Sequence, residues 1–324
     1  MKTMTSLKGY WDFSSRPRAL RAVAFLLVVV TLTAGSLVWG EAPPASDPAQ
    51  KYPPTIVFMT DFGVVDDSVA ICRGVMYGIM PDVRIVDLTH DVTPFSITDA
   101  ALYLDGATAY FPAGTVFVAV IDPGVGSTRK AIVAKSKRGQ YFVLPDNGLL
   151  TLLEQHDGIE GVHEITNTSW MIGSKLSSTF HGRDIFSPVG AHLARGEDWT
   201  KVGPEMPVKD LVRLDLKATK LDERGLTGEV ITTDGPFGNL VTSVQGEDFL
   251  KLGYQRGQEV PVVLGDKEAM KIKFVRTFSD VPLGQPLIYI DSRGRFALAV
   301  NQNSFAAIYG IKPPVTLFIP RPGK

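Results

Sequence analysis

At 324 residues, 44% of them apolar, the chain is long enough to bury more than one hydrophobic core, and the length favours two domains. Lys plus Arg (33) nearly balances Asp plus Glu (34) and no Lys/Arg-rich run occurs, which argues against nucleic acid as a partner. The single cysteine, Cys72, excludes an intrachain disulfide, and five scattered histidines without HExxH or CxxC spacing argue against a zinc site.

In chain order, Lys2, Lys8, Arg16, Arg18 and Arg21 precede an apolar run over residues 22–30 and a weaker continuation to Trp39, the pattern of a signal peptide. Gly40 and Ala42 supply small residues for cleavage, so 1–42 reads as a signal segment and 43–54, rich in Pro and Ala, as a flexible lead-in. An uncleaved anchor is the competing reading, because roughly 20 apolar residues suffice to span a bilayer. Membrane attachment is expected only in that case. Either way the folded part is expected to begin near Thr55 and to lie outside the cytoplasm, periplasmic or extracellular.

A continuous apolar run over 55–60 predicts a strand covered on both faces, ending at Asp61. Asp66, Asp67 and Ser68 then supply capping residues for a helix to about Met80. Strands over 83–87 and 115–120 flank a helix over 97–110, and this alternation predicts an α/β domain with a mostly parallel sheet and flanking helices. Asp122 stands where the third of these strands stops, and ligands in open α/β sheets bind off the carboxyl ends of strands. The loop from Asp122 to Arg129 offers one carboxylate, two glycines and a guanidinium. On those residues alone, a tight turn closed by a surface ion pair fits as well.

Strands over 131–134 and 141–144 lead to the turn Pro145-Asp146-Asn147-Gly148, a short helix over 149–155 and a weak strand over 162–165. His181 follows, bracketed by Arg183 and Asp184 at the entrance to a helix over 185–194. A lone loop histidine is commonly a structural hydrogen-bonder. The α/β domain is thus expected over 55–203. Residues 204–224 lose periodicity and read as a linker. Over 225–324, short strands at 228–233, 240–244, 259–264, 271–274, 287–290, 296–300 and 315–319 predict a small β-barrel or sandwich.

Taken in order, Thr60-Asp61-Phe62-Gly63, Asp66-Asp67-Ser68, Asp122-Pro123-Gly124-Val125-Gly126, Pro145-Asp146-Asn147-Gly148, Thr179 to Asp184, Asp234 to Asn239 and Ser292-Arg293-Gly294 resemble one family. It is the S-adenosyl-L-methionine hydroxide adenosyltransferases, hydrolytic relatives of fluorinase and chlorinase. The resemblance spans the chain from about Thr55 onward. It implies an α/β domain followed by a C-terminal β-barrel, a homotrimer with sites at subunit contacts, S-adenosyl-L-methionine as substrate and no cofactor or metal.

The resemblance also implies roles. Asp61 would grip the ribose hydroxyls, as one carboxylate can accept two hydroxyl protons; loop capping is its alternative. Asp66 and Ser68 would be further substrate contacts, and a plain helix cap explains them equally well. Phe95 replaces the Trp of the fluorinase relatives as an apolar wall. From a neighbouring subunit, Asp234 would meet the methionine ammonium, Ser292 and Arg293 its carboxylate, and Phe237 and Asn239 the adenine. Without the resemblance, Asp234 to Asn239 would read as a hairpin turn. Asp122, Arg129 and His181 would act on water.

Bulk water, with a pKa of about 15.7, is not ionised by an ordinary Asp or His, so these groups would orient one molecule and accept its proton as the carbon–oxygen bond forms. Sequence leaves open which of Asp122 and His181 accepts it. Two rivals remain: a halide-using transferase, disfavoured by Asp122 and His181 where the halide users carry Tyr, and an exported adenosine-binding protein without turnover, motivated by the signal peptide.

Overall fold

The computed structural model describes residues 52–173 and 175–323. The signal segment expected over 1–42, and all of the lead-in but its last three residues, lie outside them. The described residues form one compact unit built on two sheets.

The first sheet takes β1 (Thr55–Thr60), β2 (Arg84–Thr89), β3 (Val116–Val120), β4 (Ala131–Ser136), β5 (Tyr141–Pro145), β6 (Ile159–Glu164) and β7 (Glu205–Met206) in the order β2-β1-β3-β5-β4-β6-β7. The α/β architecture is as expected, but the sheet is mixed. β2-β1-β3-β5 is parallel, whereas β4, β6 and β7 pair antiparallel. The short connection between β4 and β5 permits only a hairpin, since a parallel return needs a long crossover.

Helices α1 (Ser68–Ile79), α2 (Ile97–Thr108), α3 (Thr151–His156) and α4 (Ser187–Ala194) cover the sheet. Successive strand side chains point to opposite faces. Ile56, Phe58, Val116, Val118 and Val120 therefore join Cys72 and Met76 of α1 and Val189 of α4 in one core. Val57, Met59, Phe117, Ala119 and Ile121 join Ala100 and Leu104 of α2 and Leu153 of α3 in another. Burial on both faces explains why β1 and β3 read as uninterrupted apolar runs.

The second sheet adds β8 (Lys220–Leu221), β9 (Gly225–Asp234), β10 (Asn239–Gln245), β11 (Glu259–Leu264), β12 (Met270–Phe274), β13 (Pro286–Ile290), β14 (Arg295–Val300) and β15 (Val315–Pro320). Pairing of β10 with β9 closes seven of these strands into a barrel, with β8 appended to β9. Its interior holds Leu226, Val230, Phe249, Phe274, Phe296 and Leu298. Closure removes the free edges that an open sheet would expose.

Helix α2 braces the barrel against the first sheet. Thr232 Oγ1 donates to Asp99, Arg293 Nη1 donates to Leu102 O at 3.3 Å, and Arg295 Nη2 stands 3.5 Å from Asp105. Gly106 makes room for this, because a Cβ there would lie 2.7 Å from the Arg293 guanidinium carbon.

Candidate active site

Thr60 and Val120 are register partners on the neighbouring parallel strands β1 and β3, so Asp61 and Asp122 emerge side by side at their carboxyl ends. The loop after Asp122 turns at once, with Val125 N donating to Asp122 O at 3.1 Å and Ser127 N to Gly124 O at 3.1 Å. This turn returns Arg129 onto Asp122. Arg129 Nε donates to Asp122 Oδ1 at 2.9 Å and its Nη2 donates to Oδ2, a bidentate pair with side chains only 11% and 6% exposed. The Arg129 guanidinium also lies 5.3 Å from the centre of the Phe186 ring.

His181 reaches the same point from a different element. It stands at the start of a π-helical turn, Gly182–Phe186, that runs directly into α4, so the helix expected over 185–194 begins earlier and in a wider winding. Asp184 secures the approach, accepting from Ser177 N at 2.7 Å and pairing with Arg183. Arg129 Nη2 donates to His181 Nδ1 at 2.8 Å. A guanidinium has no acceptor, so Nδ1 must present its lone pair, and the neutral imidazole carries its hydrogen on Nε2. Burial, and then the Arg129 charge, lower the His181 pKa below its ordinary value, against weaker opposing effects of Asp122, Asp184 and the Ser177 backbone.

Asp61, Phe95, Asp122 and His181 line one cleft of about 260 Å³, together with Phe62, Val125 and Phe180. Asp61 Oδ2 accepts from Phe95 N at 2.9 Å, so it does cap the loop while facing the cleft. Phe95 holds a left-handed φ of 67° there, and its side chain is largely exposed. Asp66 and Ser68 line neither this cleft nor the larger hollow. Asp66 Oδ1 accepts from Ser68 N at 2.9 Å, and Asp67 occupies the cap position of α1 without a side-chain bond.

Asp234, Phe237, Asn239, Ser292 and Arg293 line a separate hollow of about 1410 Å³ on the barrel. Asn239 Nδ2 donates to Asp234 Oδ2 at 3.4 Å across the turn, which is also the hairpin between β9 and β10. No residue lines both the cleft and the hollow. The twelve sequence-predicted residues therefore fall into two groups within one chain, apart from the Asp66 and Ser68 pair.

The chain thus sets a part-buried Asp–Arg–His cluster at the strand ends of an α/β domain that is followed by a closed barrel. The family model for the SAM hydroxide adenosyltransferase N-terminal domain matches residues 56–203, and that for the SAM hydroxide adenosyltransferase C-terminal domain matches 228–317. The chain belongs to the SAM hydroxide adenosyltransferase family. It is 38% identical to the (R)-S-adenosyl-L-methionine hydrolase of Salinispora tropica, over 80% of this chain and 95% of the relative. It is 32% identical to the fluorinase of Actinopolyspora mzabensis, over 83% of this chain and 97% of the relative. A solved structure titled as an uncharacterized conserved protein from Thermotoga maritima superposes with a TM-score of 0.77 at 37% identity, covering 82% of this chain and 99% of that one.

Proposed function

We propose that the protein is a hydrolase of S-adenosyl-L-methionine. Water attacks the 5' carbon of the ribose, the carbon–sulfur bond breaks, sulfur keeps the electron pair, and adenosine and L-methionine leave. The substrate's positive charge is consumed in the step, so the leaving group needs no acid. The observation that carries this reading is the part-buried cluster of Asp122, Arg129 and His181, two of which line a cleft that also presents Asp61.

The hydrogen-bond pattern divides the labour. His181, with Nδ1 occupied by Arg129 and hydrogen on Nε2, is a donor at its other nitrogen and orients rather than accepts. Asp122 keeps unused lone pairs on both oxygens and takes the water's proton, a positional and general-base contribution of roughly 100- to 10,000-fold. An ion-paired carboxylate in this place disfavours a halide as the nucleophile.

A cleft of about 260 Å³ is below the roughly 300–1,000 Å³ usual for ligand pockets, so the cleft of one chain does not enclose the substrate by itself. The complete site forms where the cleft of one copy meets the barrel hollow of the next, in a homotrimer. Exposed Val64, Val65, Phe95, Phe237 and Leu283 support such contacts. Asp61 binds ribose, Asp234, Ser292 and Arg293 hold the amino-acid end, and Phe237 and Asn239 hold adenine. The protein acts outside the cytoplasm, on the strength of its basic-then-apolar leader.

Incubating purified protein with S-adenosyl-L-methionine in ¹⁸O-water should give adenosine and methionine in equal amounts, with the label in the 5'-hydroxyl. Label-free adenosine, a 5'-halogenated product in the presence of chloride or fluoride, or ligand binding without turnover would each overturn the reading.

A further inference from the structure

The turn Pro145-Asp146-Asn147-Gly148 follows β5, the parallel neighbour of β3 on the side away from β1. It thus emerges at the same sheet edge as Asp122. Two of its groups grip the loop that carries Asp122 and Arg129. Asn147 Nδ2 donates to Ile121 O at 2.9 Å, one residue before Asp122. Asp146 N donates to Lys130 O at 2.9 Å, one residue after Arg129. The loop is therefore closed at its base by adjacent residues of a single turn.

We propose that Asn147 is a positioning residue: its side-chain amide fixes where the backbone releases Asp122, and so sets the alignment of that carboxylate with Arg129 and the attacking water. The proposal rests on the assignment of Asp122 as the group acting on water. The geometry is direct, because Ile121 is fully buried in the core while Asp122 is the first residue beyond it, and a shift of its departure angle is carried outward into the carboxylate. Misplacement of a reacting group by about 1 Å can cost on the order of 100-fold in rate. The turn is itself anchored on the far side. Asp146 Oδ1 accepts from Val212 N at 2.9 Å, and Thr151 Oγ1 donates to Gly148 O at 2.7 Å while accepting from Leu214 N at 2.9 Å. Those bonds hold the turn to the segment leading to the barrel and do not touch the catalytic loop.

The test compares Asn147→Asp, which keeps the shape but sets a carboxylate oxygen against the Ile121 carbonyl, with Asn147→Ala, which only removes the donor. Thr151→Val serves as a destabilising control on the far anchor, and Asp122→Asn as the reference. Both Asn147 variants should lose at least tenfold in kcat on S-adenosyl-L-methionine with KM changed less than about threefold, Asn147→Asp the more. Thr151→Val should lower Tm and leave kcat within twofold. Adding Asn147→Ala to Asp122→Asn should cost little more than Asp122→Asn alone. If Asp122→Asn is crippled while both Asn147 variants turn over normally, the positioning role is wrong and the proposed function stands. If kcat falls in Thr151→Val as it does in the Asn147 variants, in step with Tm, the turn is only structural and the proposal is overturned. Normal turnover by Asp122→Asn overturns both.

Discussion

Gly126 meets the backbone carbonyl of Ser178 so closely that a Cβ on it would lie 2.5 Å from the oxygen. This contact presses the loop of Asp122 against the loop of His181, and it occurs at a φ of 77°, where an L side chain is strained. Replacing Gly126 with Ala should therefore separate the two loops. We expect a stability loss of about 1–2 kcal/mol from the backbone conformation alone, and at least a tenfold fall in kcat. Chemical denaturation and steady-state kinetics on the same preparation check both.

Asp122→Asn and His181→Ala should each lower kcat by about 100-fold or more, with little change in substrate affinity, because the interaction they remove exists chiefly in the transition state. The double variant should be little worse than the poorer single one. Arg129→Met is expected to lose stability as well, since breaking a buried ion pair by removing one partner costs roughly 3–5 kcal/mol. Arg129→Lys keeps the charge but cannot bond Asp122 and His181 together, and should fall between. Kinetics and isothermal binding measurements distinguish these outcomes. Full additivity of the Asp122 and His181 effects would count against a shared role.

Much of the fold was legible because burial on both faces leaves a plain signature. Strands β1 and β11 have the expected limits, and β3 and β12 to β15 differ from expectation by a residue or so at one end. The antiparallel half of the first sheet was less legible: the short hairpin between β4 and β5 overrides the parallel pattern suggested by the preceding alternation. At the site, Asp122, Arg129 and His181 are brought together as the motifs implied. The tautomer of His181 was not readable, because it depends on which ring nitrogen meets Arg129. The sequence places Asn147 in a turn and assigns it no role. Its partner, Ile121, is distant in sequence, and only the adjacency of β3 and β5 brings them together. A polar amide between Pro-Asp and Gly was the available signal.

The pH profile should report His181. Its pKa lies below the ordinary value of about 6.5 because burial and the Arg129 charge disfavour the imidazolium. The neutral form, which alone can accept from Arg129, thus predominates at pH 6.5, and the decline in kcat/KM should be centred below that point. The same group contributes stability that is present above pH 6.5 and lost as the pH falls through the folded-state value. A decline in kcat/KM centred above pH 7 would contradict the assignment.

His156 has the opposite sign. Its Nδ1 lies 2.8 Å from Asp105, and that hydrogen bond raises its pKa above the usual value. Its contribution to stability is complete below about pH 6.5 and is lost as the pH rises through the folded-state pKa. His156→Gln should lower Tm more at pH 6 than at pH 9. Equal effects at the two values, read from thermal melts, would show that the ion pair with Asp105 is not felt.

Mixed oligomers test the division of the site. Asp61→Ala disables the cleft and Asn239→Ala the barrel hollow, so each alone should weaken binding by roughly 1–3 kcal/mol through unpaired buried groups. Co-assembled, the two should recover a fraction of intact sites. Activity of the mixture equal to the average of the two parents, after exchange of subunits has been verified, would place the whole site within one chain.

Helix α2 has a mechanical consequence. Its first turn follows Phe95 at the cleft, and its later turns carry Leu102, Gly106 and Asp105, which hold Arg293 and Arg295 of the barrel. A single rod of backbone thus ties the cleft of a chain to the hollow of the same chain, cross-braced by Thr232 on Asp99. The segment from 204 to 224 then does not serve as a hinge, however irregular its sequence. In the homotrimer proposed above, opening and closing around a substrate would fall to whole copies rocking against one another, and product escape would be timed by the seams between subunits rather than by any joint within a chain.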